Sequence, residues 1–147
     1  MRNQYFIWLL VFSLFACSEE ENELPLKELN FSVEEVALSS SDLETEIEIL
    51  FSRSSEVDGE LNITIESGTL AYGATADFYT MPEAENGSMI VLPYSAGDAS
   101  VKFSVLKGER LNIQDEQQIS FTISDNDQAV SGTNASISVV FSENFVA

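Results

Sequence analysis

The chain has no histidine, one cysteine at Cys17, and only 6 basic residues against 25 acidic ones. Each scarcity removes a class of function. Without imidazole, neither Ser-His-Asp nor Cys-His nucleophilic arrangements can be built, and a His-based zinc site is equally impossible. A lone cysteine cannot form a disulfide within the chain, so stability must come from a packed core. The formal net charge of −19 repels phosphate backbones and excludes nucleic acid as a partner. It also repels an anionic membrane surface. No apolar run approaches the roughly 20 residues needed to span a bilayer.

The apolar run that does exist is short and N-terminal. Arg2 is the one charge before Glu19, and Phe6-Ile7-Trp8-Leu9-Leu10-Val11-Phe12 is continuously apolar. A basic start, a short apolar stretch and small residues at the cut form a secretory signal. The cut site reads Leu14-Phe15-Ala16-Cys17. That string resembles the bacterial lipobox, in which the cysteine sulfur is acylated and cleavage falls just before it. The resemblance implies residues 1–16 as a lipoprotein signal peptide and Cys17 as the lipid attachment site. Several acyl chains on one residue anchor firmly, at about 0.8 kcal/mol per buried methylene. Ser18, Glu19, Glu20 and Glu21 follow and resemble an acidic export signal that sends lipoproteins to the outer face of the outer membrane. A periplasm-facing outer-membrane lipoprotein is the alternative location. Residues 17–28 are acidic and read as a tether.

From residue 29 to residue 147 the pattern has a period of two. Phe31 and Val33 open a first strand. Ile47, Ile49 and Phe51 alternate with Glu44, Glu46 and Glu48. Leu61, Ile63 and Ile65 follow, then Met89-Ile90-Val91-Leu92 stopped by Pro93. Val101, Phe103 and Val105, then Ile119, Phe121 and Ile123, and finally Ile137, Val139 and Phe141 complete the series. Seven half-buried runs separated by turn residues predict a seven-stranded antiparallel immunoglobulin-like β-sandwich. One connection, residues 67–87, is too long for a plain hairpin. Its aromatics predict an ordered crossover, with a short strand near Phe78.

That crossover carries Gly68-Thr69-Leu70, Gly73 and Asp77-Phe78, followed by Gly87 and a short strand ending at Pro93. This order resembles the Calx-β domain, over residues 31–142. In sodium–calcium exchangers such domains bind Ca²⁺ at one end through clustered carboxylates, and Ca²⁺ requires six to eight oxygen ligands. The resemblance implies Asp77, Glu109, Asp115, Glu116 and Glu143 as the surviving candidates for a weak Ca²⁺ site. It also places Lys107-Gly108 and Ser142 with Asn144 where the family has acids. The expectation is therefore that no cofactor is required.

Other acidic features have plainer readings. Asp125-Asn126-Asp127 starts like an EF-hand loop, but Ala129 and Val130 stand where a ligand and glycine are needed, so a turn is expected. The Glu44, Glu46, Glu48 row reads as a solvated strand face, which would discourage pairing if that strand were at an edge. A pair such as Asp115 and Glu116 is no more marked than any other for glycoside chemistry. The expected protein is a non-enzymatic, surface-exposed outer-membrane lipoprotein with a structural or interaction domain. The alternative is a glycan- or protein-binding module of a surface complex. Tyr72, Tyr79 and Tyr94 are then either its exposed contacts or core plugs.

Overall fold

The computed structural model describes residues 25–112 and 116–142. Cys17, Ser18, Glu19, Glu20 and Glu21 lie outside the described residues, as do the expected signal peptide, residues 1–16, and the expected tether up to residue 24. Among the described residues there are ten strands: β1 (Lys27–Phe31), β2 (Glu35–Ser39), β3 (Glu44–Phe51), β4 (Gly59–Glu66), β5 (Phe78–Met81), β6 (Met89–Tyr94), β7 (Ser100–Lys107), β8 (Gln117–Ile123), β9 (Ala129–Ser131) and β10 (Ser136–Ser142). No helix occurs among the described residues. Two five-stranded sheets face each other, ordered β5-β7-β3-β1-β9 and β2-β10-β8-β4-β6.

The alternating side chains place themselves as the period of two requires. Ile47, Ile49 and Phe51 turn inward from β3, opposite Val101, Phe103 and Val105 of its neighbour β7. From the second sheet come Leu61, Ile63 and Ile65, Ile119, Phe121 and Ile123, and Ile137, Val139 and Phe141. Phe103 and Phe121 meet across the sandwich at 5.2 Å between ring centroids. Each such buried side chain contributes about 1.5–3 kcal/mol of transfer free energy, so this layer replaces the absent cross-links.

The first strand departs from the alternation predicted for it. Lys27, Leu29 and Phe31 point inward, while Val33 is exposed. After Phe31 the chain leaves the first sheet and enters the second at Glu35. Asn134 clamps this crossing: its side-chain amide donates to the carbonyls of Phe31 and Val33. β1 and β2 are thus one split strand. This explains why β1 pairs in parallel with β9, and β2 in parallel with β10; the other pairings between these strands are antiparallel. Pro93 lies inside β6 rather than ending it. β6 is an edge strand, the place where a missing N–H is tolerated. β3 is interior, between β7 and β1, so its glutamates do not guard an edge. Glu46 and Glu48 instead flank Lys102 at 3.2 and 3.7 Å on the exposed face. Pairs this exposed are worth at most about 1 kcal/mol.

Lys27 and Glu28, the last residues of the predicted tether, belong to β1. Lys27 is buried, its Nζ 3.2 Å from Ser55 Oγ and 4.6 Å from the centre of the Tyr94 ring. Burial, followed by the nearby Arg53 charge, holds its pKa below the ordinary lysine value. The charged form is thus penalised in the folded state. Stability is expected to rise as pH climbs through the lowered pKa toward the unfolded value. Lys27→Met keeps the apolar stem and removes the desolvated charge. It is expected to be neutral or to stabilise by about 1 kcal/mol near pH 7. A loss of more than that in denaturant titration would show that the ammonium is net favourable.

Candidate functional site

The crossover between β4 and β5 is ordered by its own backbone. Asp77 and Phe78 donate their N–H groups to the Ala71 carbonyl, and Gly73 N–H donates to the Phe78 carbonyl at 2.6 Å. The Asp77 carboxylate closes the same loop, with Oδ2 accepting the Ala71 N–H at 2.7 Å. Tyr72 pins the segment down. Its ring meets Phe78 edge-on at 5.4 Å, and its hydroxyl accepts N–H bonds from Ala84 at 2.8 Å and Thr80 at 3.2 Å. That hydroxyl also contacts Thr80 Oγ1, which in turn donates to the Pro82 carbonyl.

The end of β7 packs onto this loop. Gly108 N–H donates to the Asp77 carbonyl, Glu109 N–H to Ala74 and Arg110 N–H to Ala76. A Cβ on Gly108 would sit 2.1 Å from the Ala76 oxygen and 2.8 Å from the Gly73 oxygen. Glycine is therefore required for the approach of two backbones. Lys107 reaches the other way and donates to the carbonyl of Ser39, the last residue of β2. Burial holds its pKa below the usual lysine range, while the nearby Asp42 charge opposes that shift. Asp42 itself accepts from the Ser39 N–H and hydroxyl, which lowers its pKa.

The calcium-ligand candidates are thus only partly brought together. Asp77 and Glu109 share the crossover end of the sandwich, but one Asp77 oxygen is spent on the loop. Glu109 and Glu116 are exposed, and Glu116 stands just before β8. Asp115 and Glu143 lie outside the described residues. No group of three His, Cys, Asp or Glu side chains placed to hold a metal ion occurs among the described residues. A cation cage does not fit the Lys107 and Gly108 positions: one carries an ammonium, and the other has no room for a side chain. Asp125-Asn126-Asp127 is a turn, as expected. Asn126 Oδ1 accepts from the N–H groups of Gln128 and Ala129, and Asp125 Oδ1 from that of Ser131.

The tyrosines divide. Tyr94 is buried, edge-on to Phe51 at 5.4 Å, with its hydroxyl donating to Gln128. Tyr72 is a plug whose hydroxyl is fully engaged. Tyr79 is half-buried on the edge strand β5 and borders a cavity of about 300 Å³ together with Tyr72, Met81 and Glu83. Nothing in the alternation pattern marks this cavity, because residues 72–74 form an irregular loop with no period to read, although they lie only a few positions before β5.

Comparison with known proteins gives a fold. No protein-family model matches the chain, and no curated protein matches it either. Among solved structures, the apo form of the Calx CBD1 domain aligns with a TM-score of 0.63 at 10% identity, covering 82% of this chain and 100% of that one. The Calx CBD2 domain aligns at 0.61 and 9% identity, covering 84% and 93%. A candidate carbohydrate-binding protein from Bacteroides ovatus aligns at 0.52 and 10% identity, covering 80% of this chain and 37% of that one. The domain is therefore a Calx-β-like, immunoglobulin-like β-sandwich of ten strands rather than seven. The three additional strands are the short β2, β5 and β9.

Proposed function

We propose that the chain is a non-enzymatic outer-membrane lipoprotein, exposed at the cell surface, whose sandwich serves as a structural or interaction domain. The observation that carries this reading is the string Leu14-Phe15-Ala16-Cys17 ahead of an acidic tether and a self-contained sandwich. Cys17→Ser is expected to abolish incorporation of labelled palmitate and to release the protein from the membrane fraction. Continued labelling of the variant would sink the lipoprotein reading. Within the interaction class, the cavity beside Tyr79 favours a binding module over a bare spacer. The structural likeness to a candidate carbohydrate-binding protein is compatible with that.

We further infer that the domain folds without Ca²⁺. The support is Lys107 and Gly108 at positions where the resemblance expects acids, and the engagement of Asp77 in its own loop. A ligand that binds only the native state stabilises it by about 2.7 kcal/mol at a hundred times Kd. A site of roughly 10 µM affinity would therefore raise Tm by several degrees in 1 mM Ca²⁺. Diffuse screening of the acidic surface would act almost equally with Mg²⁺. Melting in Ca²⁺ and Mg²⁺ at equal ionic strength is expected to coincide. A Ca²⁺-specific rise that Asp77→Asn removes would restore a calcium-binding domain.

A further inference from the structure

Five features invite a function: three are accounted for locally and a fourth selects no ligand. Lys27 is satisfied by Ser55 and two aromatic rings. The acidic row on β3 is shared with Lys102. The hydroxyl-rich outer face of the second sheet has nothing that selects an occupant. The shallow cleft of about 200 Å³ at Glu60 and Asp127 lies between the start of β4 and the loop before β9, where Asn126 bonds the Glu60 carbonyl and the Gln128 N–H. The cavity of about 300 Å³ between residues 73–74 and β5 is different.

Its size suits one small molecule or one side chain, and its lining restricts the chemistry. Most of the backbone and hydroxyl groups around it are already used. Gly73 bonds through both N–H and carbonyl, the Ala74 carbonyl accepts from Glu109, and the Thr80 N–H and hydroxyl are spent on Tyr72 and Pro82. A sugar needs several donors and acceptors, because each buried hydroxyl left unpaired is costly. The groups that remain are the ring and hydroxyl of half-buried Tyr79, the Met81 thioether, 61% exposed, and the Glu83 carboxylate. Glu83 is exposed and makes no ion pair among the described residues. An aromatic face, a polarisable sulfur and one carboxylate, in a chain of net charge −19, together match a cation and repel an anion.

We propose that this cavity takes an organic cation: an alkylammonium group, either free as a small amine or carried as a lysine side chain by a partner protein. The proposal rests on reading the domain as a binding module and is independent of the lipid anchor. The test uses the full-length chain in a polyoxyethylene detergent, which carries neither sugar nor ammonium. Amide shifts are followed by NMR during titration with tetramethylammonium chloride and with N-acetyl-lysine methylamide. Sodium chloride at equal ionic strength and methyl glucoside are the comparisons.

Both ammonium probes, or one of them, are expected to give saturable shifts at Gly73, Ala74, Tyr79 and Met81. Glu83→Gln is expected to weaken binding at least about fivefold, and Glu46→Gln, which removes the same charge elsewhere, to leave it unchanged. Saturation by the lysine amide alone identifies a protein side chain as the source; saturation by tetramethylammonium alone identifies a small amine. Shifts that are linear and spread over the surface, or an unaltered affinity in Glu83→Gln, overturn the proposal. Saturation by methyl glucoside at these amides also overturns it, while keeping the binding-module reading. Saturation by no probe overturns the cavity as a site of either kind and leaves the scaffold reading standing.

Discussion

Gly108→Asp is expected to destabilise the domain by about 3 kcal/mol or more and to lower Tm by roughly 10 °C. The added Cβ would meet the Ala76 carbonyl oxygen at 2.1 Å and its carbon at 2.6 Å. These are backbone atoms, held by the hydrogen bonds of the crossover, so no flexible side chain can yield. The Gly108 N–H bond to Asp77 would be lost if the strand end moved away. The carboxylate would add repulsion from the carbonyl oxygens of Ala76 and Gly73. Gly108→Ala isolates the steric part and is expected to account for most of the loss. Thermal melting of the two variants beside the parent makes the comparison. A Gly108→Ala change within about 0.5 kcal/mol, the range of an ordinary surface substitution, would mean that the loop relaxes freely.

Tyr72→Phe should cost about 2–3 kcal/mol, although it removes a single oxygen. That oxygen accepts from Ala84 and Thr80 and contacts Thr80 Oγ1. Its loss leaves two backbone donors in a partly buried site without an acceptor, and each such group costs about 1–3 kcal/mol. The ring contact with Phe78 survives in the variant, so the loss reports the hydroxyl alone. The Ala84 amide should also exchange faster with solvent. Thr80→Val combined with Tyr72→Phe should cost less than the sum of the single changes, since the two hydroxyls share one network. Strict additivity in denaturant titrations would refute the network.

The inward faces of β3, β4, β7, β8 and β10 were legible because an alternating strand buried on one side writes its period directly into the chain. The crossover was legible as an ordered segment from Tyr72 and Phe78, and its short strand came where the aromatics placed it. β2 and β9 were not legible. Both are short edge strands whose pairing is parallel, and no turn residue announces the passage from Phe31 to Glu35. Val33 follows the period of Phe31 but sits where the chain changes sheets. Gly108 shows the limit most clearly. In sequence it reads as a lost ligand; its requirement comes from Ala76, thirty-two positions away, and only through-space proximity reveals it. The cavity at Tyr79 was hidden for a different reason: its lining is local, between residues 72 and 83, but the irregular loop that forms one wall has no period. Of the tyrosines read as contacts or plugs, Tyr94 proved buried, and burial depends on partners such as Phe51 that no local pattern names.

The split first strand has a mechanical consequence. β1 and β2 run in one direction, as β10 does, so Lys27 and Ser142 lie at opposite poles of the sandwich. An eight-residue strand such as β3 separates those poles by about 23 Å. Anything that tethers the chain before Lys27 therefore directs the crossover pole away from the point of attachment. A load applied between that attachment and a partner at the far pole runs along the strands. The ladder bonds lie across that direction, so they resist together in shear instead of opening one after another. A chain held before Lys27 and gripped at the far pole would therefore carry the tension along its strands.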